Sequence, residues 1–283
     1  KKDLVITFLS EFIILISGLL VYKFAANLFG ENVFSQYALC KRTVALILPA
    51  LTIGLGVGIP RYIAFASSSS DYKHPDTYFI GGFTVLLVCA IFITLLLNLF
   101  KAQLSFLLFG DPEYKELIFP SNLMIVGLIL HHICYSYYRG KLQMVKANTL
   151  QLINYGIIPV VVFIGQDDII KILSFNGLFW IISSIIVFIF IAKKVEWTKS
   201  FSILPCIKEL LNYGVRRVPG DFGLAAILSI PAIITAHVAG IEEAGYVAFG
   251  TSILNMAGAV FYPVGLIFLP KASQLISSKI WIN

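Results

Sequence analysis

Charge is scarce in this chain. Lys, Arg, Asp and Glu make up 13% of its 283 residues, about half the share found in soluble domains. Hydrophobic residues make up 58% and mean hydropathy is +0.89, which excludes an ordinary water-soluble domain. Cysteine is sparse and scattered: Cys40, Cys89, Cys134 and Cys206 form no CxxC pair. A disulfide framework and a zinc site are therefore not expected, and cysteines within apolar runs read as small buried hydrophobes. HExxH, GxSxG and P-loop motifs are also missing. The adjacent carboxylates, Asp167-Asp168 and Glu242-Glu243, fall in short connections and read as solvated. Nothing argues for an enzyme, a metal or a cofactor. The net charge of +6 does not require nucleic acid as a partner, because membrane proteins acquire basic excess through their cytoplasmic loops. The chain begins Lys1-Lys2-Asp3 without an initiator Met, which suggests trimming, and no cleavable signal-peptide pattern precedes the first apolar run.

What the chain has in abundance is long apolar runs. A spanning helix needs about 20 of these residues, and eight segments qualify: 4–28, 43–66, 78–100, 117–138, 143–165, 170–192, 214–238 and 246–270. They lack sustained alternation and exceed the roughly 9 to 11 residues of a barrel strand, so the expected fold is an all-α membrane bundle of eight transmembrane helices. The apolar part of "LSFLLFGDPEY" (104–114) is too short to span and is expected along the interface. In "LPALTIGLGVGIPRY" (48–62) Pro49, Gly54, Gly56, Gly58 and Pro60 weaken the helix; no strand precedes these glycines, so they are not a dinucleotide fingerprint.

Orientation follows from the basic residues. Lys1, Lys2, Arg61, Lys73, Arg139, Lys141, Lys146, Lys193, Lys194, Lys199, Lys208, Lys271 and Lys279 sit at the N-terminus and the even-numbered connections. Lys41, Arg42, Lys101, Lys115 and Lys171 sit at the odd-numbered ones. By the positive-inside rule the N-terminus is cytoplasmic, in the cell membrane. Tyr135, Tyr137, Tyr138 and Arg139 then form an aromatic anchor at the inner headgroup level.

A shift of 210 residues superposes Glu11 on Asp221, Gly30 on Gly240, Pro60 on Pro270 and Arg61 on Lys271. Six helices return the chain to the side it started from, so two such repeats would be parallel copies, a common plan in secondary transporters. The expected domains are a complete six-helix lobe over 1–195, a cytoplasmic connector over 196–213, and the first two helices of a second lobe over 214–283. On this plan the chain is a fragment, and four further helices are expected after it.

Charges inside hydrocarbon usually face a bundle interior, a partner or a watery cavity. Glu11 lies about two turns into the first segment. Asp221 lies four residues after Arg217, on the same helical face, where the two can pair. Lys23, Lys41, Arg42 and Arg61 lie near predicted interfaces, where snorkelling competes with a role in the cavity. Arg216 and Arg217 point to different faces and read equally as inner-leaflet anchors or as ligands for an anion, with Pro219-Gly220 loosening the helix beside them. His131 and His132 suit either a proton relay or a helix-to-helix hydrogen bond.

Three stretches carry a resemblance: "NLFGENVFSQYALCKRTVALILPALTIGLGVGIPRYIA" (27–64), "YYRGKLQMVKANTLQLINYGIIP" (137–159) and "NYGVRRVPGDFGLAAILSIPAIITAHVAGIEEAGYVAFGTSILNMAGAVFYPVGLIFLPKAS" (212–273). They resemble the polysaccharide-biosynthesis flippases, the lipid-linked oligosaccharide transporters of the multidrug, oligosaccharidyl-lipid and polysaccharide (MOP) exporter superfamily. The resemblance implies two six-helix lobes around a central cavity, alternating access, and a polyprenyl-diphosphate-linked glycan as cargo. It also implies a protein of 12 or 14 helices that works as a monomer when full length. A diphosphate crossing hydrocarbon calls for cations, with the Arg fork suited to phosphate. Arg216, Arg217, Arg61, Lys41, Arg42 and Lys23 are the candidate headgroup ligands. Glu11 and Asp221 are candidates for coupling to a proton or sodium ion, or for holding an arginine in place. Two alternatives stand beside this reading: a cation-coupled multidrug exporter of the same superfamily, and a membrane glycan polymerase or transferase, for which the connections are short.

Overall fold

The computed structural model describes residues 2–68, 74–166, 168–197, 203–259 and 262–277. They are helical almost throughout, with no strand among the described residues. Helix α1 (Lys2–Thr52) carries two of the predicted segments because it folds back at Gly30, where φ is 79° and ψ −176°, a backbone that favours glycine. The reversal is measured by Lys41, whose ammonium lies 4.9 Å from the Tyr22 ring; a straight helix would separate these residues by about 28 Å at 1.5 Å each. The chain continues through α2 (Leu55–Ser68), α3 (Pro75–Leu99) and the short α4 (Lys101–Phe109). A 3₁₀ turn (Pro112–Leu117) leads into α5 (Ile118–Gly140), then α6 (Met144–Gln151), a π-helical turn (Leu152–Ile157), α7 (Ile158–Gly165) and α8 (Ile169–Ala192). After the connector come α9 (Ile203–Val215), α10 (Val218–Val238), α11 (Ile241–Ala259) and α12 (Tyr262–Ser277).

Among the described residues, six helical stretches are long and apolar enough to cross a membrane, the first being Val5–Thr52 with its internal turn. The eighth predicted segment, 246–270, does not form a helix of those bounds. Its residues are shared between α11 and α12, and 260–261 lie outside the described residues. The seventh starts later than expected, because 214–217 close α9 and turn the chain into α10. The segment 196–213 is largely helical as α9, with Cys206, Leu210 and Gly214 buried. Their four-residue spacing makes one packing stripe.

Helix α5 is the central post. Its consecutive residues Ile133 to Tyr137 are all buried, so it is enclosed on every side. Helix α8 reaches it through two glycines: a Cβ on Gly127 would stand 2.8 Å from Trp180 Cβ, and one on Gly177 would stand 2.6 Å from the backbone of Leu123 and Met124. Small residues at such crossings let membrane helices pack closely by dispersion. The outward faces are apolar instead: Val88, Ile91, Phe92, Leu95 and Leu99 of α3 are exposed, a contiguous apolar surface of the kind that a bilayer covers.

Alternate connections gather at opposite ends. At one end Asp76 binds Lys141 at 3.2 Å and accepts the Glu196 N–H at 3.1 Å, tying the α2–α3 and α5–α6 connections to the end of α8. At the other, Ser35 donates to the Glu242 carbonyl at 3.1 Å and His237 Nε2 meets the Leu107 carbonyl at 3.2 Å. The second turn at that end is again a positive-φ glycine, Gly240, at 104°. Lys1, Lys73, Lys199, Lys279 and Asp167 lie outside the described residues, while Asp168 caps α8 by accepting the Ile170 N–H at 2.9 Å.

Gly177→Val is expected to push α8 off α5 at a cost of about 1–3 kcal/mol, the usual penalty of overpacking. Thermal unfolding in detergent micelles should show a clearly lowered midpoint, and an unchanged midpoint would contradict the close crossing.

Candidate functional site

Polar side chains inside the first helices form a connected set, and its hub is a local consequence of sequence. In "NYGIIP" (154–159) the proline has no N–H to give. The Ile158 N–H bonds back to Ile153 O in π register, and the π partner of the Asn154 carbonyl would be Pro159. That carbonyl is left without a backbone donor, and the indole N–H of Trp180 on α8 takes it. The Asn154 side chain lies 2.9 Å from His131 Nδ1, donates to Ser184 Oγ at 3.4 Å and accepts from Ser183 Oγ at 2.5 Å. His131 thus makes a helix-to-helix bond from α5. A π-turn of this kind often marks a functional position.

One turn lower, Gln151 Nε2 donates to Glu11 Oε1 at 2.8 Å, and Asn148 Nδ2 donates to Thr7 Oγ1 at 2.9 Å. The Arg139 guanidinium, buried and 5.4 Å from the Tyr135 ring, acts on Glu11 through its charge. This corrects the expected headgroup anchor. Tyr135, Tyr137 and Arg139 are buried, with Tyr135 stacked on the His131 ring at 5.4 Å and Tyr137 packed on Phe79 at 4.9 Å.

A second cluster surrounds the elbow between α9 and α10. There Arg217 Nη2 lies 3.1 Å from Asp221 Oδ1, both half-buried. Arg61 stacks its guanidinium over the Tyr213 ring at 4.7 Å, placing a third cation beside the elbow. Arg216 turns the other way and is exposed, at the rim of an open hollow of about 880 Å³ along α9 with Lys208 and Leu204. The elbow fits into the break between α1 and α2, where Ile53 and Gly54 both have positive φ, 47° and 63°. A side chain at Gly214 would overlap the Ile53 carbonyl, and one at Gly54 would stand 3.1 Å from Arg217 Cβ. Pro219 does not loosen α10. It sits in the first turn, where no N–H is needed, and starts the helix.

The remaining predicted residues lie apart. Arg42 is buried and donates from Nε to the Ala248 carbonyl at 3.2 Å, joining α1 to α11. Lys41 lines a partly open cavity of about 200 Å³ inside the first helices. Lys23 is exposed on α1. The structure thus brings Arg61, Arg217 and Asp221 together with Arg216 at the rim, and separates Glu11, Lys23, Lys41 and Arg42 from them. Of the interior set, Asn154, Gln151 and Trp180 were not singled out from the sequence, and Arg139 was expected at the headgroup level. The set's one local signal was the proline five residues after Asn154.

Comparison with solved structures places this architecture. A MOP-superfamily transporter from Pyrococcus furiosus, described as having a binding pocket of reverse polarity that suggests a different function, superposes over 98% of this chain and 65% of its own. The TM-score is 0.74 at 16% identity. The fold is that of MOP-superfamily transporters. An outward-facing multidrug-resistance transporter of the MATE family matches with a TM-score of 0.67 at 15% identity, over 98% of this chain and 66% of that one. A MATE protein in complex with MaD3S matches at 0.60 and 16%, over 97% and 69%. The chain therefore spans about two thirds of the length of the transporters it matches. No protein-family model matches the chain, and no curated protein does.

Asn154→Leu keeps the backbone carbonyl that Trp180 binds but leaves His131, Ser183 and Ser184 without their amide partner. At about 1–3 kcal/mol for each buried polar group left unsatisfied, thermal unfolding in micelles should drop well below that of the parent. Stability equal to the parent's would show that the set is not a structural hub.

Proposed function

We propose that this chain is the cation-bearing portion of a multi-pass cell-membrane transporter that moves polyprenyl-diphosphate-linked glycans from the inner to the outer leaflet by alternating access. Its domains are a six-helix lobe over 1–195 and the start of a second over 214–283. The observation that carries the reading is the elbow: Arg61 and Arg217 flank it where α2, α9 and α10 meet, Arg216 stands at its outer rim, and Asp221 is already held by Arg217. A diphosphate bears negative charges that two or three guanidinium groups match with charge-assisted, fork-shaped hydrogen bonds. An organic cation at the elbow would need a carboxylate not otherwise engaged, and Asp221 is paired with Arg217. The broken helix at Ile53-Gly54 supplies the hinge on which the two lobes rock, and Glu11 carries the coupling proton or sodium ion.

A multidrug exporter is the second reading. It is favoured by the MATE identity of two of the similar structures and by the buried polar surroundings of Glu11.

In the full-length protein, Arg217→Ala should lower export of lipid-linked glycan by about tenfold to a hundredfold, equivalent to the roughly 1.5–3 kcal/mol of a hydrogen bond to a charged group. Arg217→Lys, which keeps the charge and loses the fork, should fall between. Export of lipid-linked glycan by the double variant Arg216→Ala, Arg217→Ala at the parent rate would refute the headgroup role. Glu11→Gln should abolish the ion dependence of transport while leaving cargo binding at the parent affinity, measured by binding to the purified protein.

A further inference from the structure

The cavity of about 200 Å³ lies between the two limbs of α1, α5, the π-turn and α8. It holds one cation. Lys41 points into it, and among the described residues its ammonium has the ring faces of Tyr22 at 4.9 Å and Tyr37 at 5.8 Å and no carboxylate in an ion pair. Facing the same space is Asn176, 3% exposed, whose Oδ1 has no hydrogen-bond partner. The π-turn supplies Tyr155, and α8 supplies Trp180, so flat rings form much of the wall.

A cation lining a mostly apolar pocket within a bilayer favours a counter-charge, and a buried amide oxygen needs a donor. Among the described residues neither is provided at this place. The volume corresponds to roughly seven waters at about 30 Å³ each, too small for a glycan and ample for a small ring. We infer that this cavity is a binding site for a small organic anion, a ring-bearing carboxylate whose acid group meets Lys41 and whose hydroxyl or amide donor meets Asn176 Oδ1. The ring faces of Tyr37, Tyr155 and Trp180 take the flat body, as aromatic walls do for planar ligands. The inference is independent of the cargo proposed for the elbow, because the two sites share no residue. It reassigns Lys41 from headgroup to counter-ion duty.

The test uses the purified chain in detergent micelles in low-chloride buffer, with 4-hydroxybenzoate as probe and 4-hydroxybenzyl alcohol as its neutral counterpart. The carboxylate is expected to raise the thermal unfolding midpoint in a saturable, dose-dependent way, while the alcohol leaves it in place. Lys41→Met should weaken the binding at least about tenfold, in line with the loss of a charge-assisted hydrogen bond. The near-isosteric Asn176→Asp, which preserves packing and adds a repelling charge, should do the same. Equal stabilisation by the alcohol, undiminished binding to both variants, or saturation by chloride with no response to the carboxylate would each overturn the proposal.

Discussion

A polar atom inside hydrocarbon must find its partner within the protein, and this constraint organises the molecule. Pro159 cannot donate to the helix ladder, so the chain slips into a π-turn and the Asn154 carbonyl turns to Trp180. That bond helps fix α8 against the π-turn, and the glycines at 127 and 177 let α8 close on α5. His131, Ser183 and Ser184 complete the hub. The enclosure of α5 on every side follows from the same requirement, because helices stack where polar groups have to be shielded.

Glycine sets the path of the chain at the two places where it reverses sharply. Gly30 and Gly240 both take positive φ, at the same end of the molecule, one after the first limb of α1 and one after α10. At the opposite half, the break at Ile53-Gly54 receives the Gly214 elbow with no room for a side chain. On the function proposed above, this fitted, cation-bearing elbow is where the halves would rock about a bound anion.

Much of this was legible in the sequence where the cause is local. Apolar runs define spans because length and hydropathy act within one helix. The Arg217–Asp221 pair follows from four-residue spacing on one face. What stayed hidden depends on distant partners. Glu11 and Gln151 meet across 140 positions, and nothing near either residue announces the other. Tyr135 and Arg139 have the composition of a headgroup anchor, yet both are buried, Tyr135 stacked on the His131 ring, which in turn meets Tyr155 from a distant part of the sequence. Lys41 looked like a snorkelling lysine because the turn at Gly30, which folds it back over Tyr22, is invisible to hydropathy.

The central claim is that the elbow serves an anionic lipid-linked cargo. Its most direct test is transport by the full-length protein in proteoliposomes, offered a fluorescent polyprenyl-diphosphate oligosaccharide in one arm and ethidium, an organic cation, in the other. The account predicts translocation of the oligosaccharide lipid to the opposite leaflet and no movement of ethidium above protein-free vesicles. Ion-gradient-driven ethidium transport with the oligosaccharide lipid left in place would contradict it.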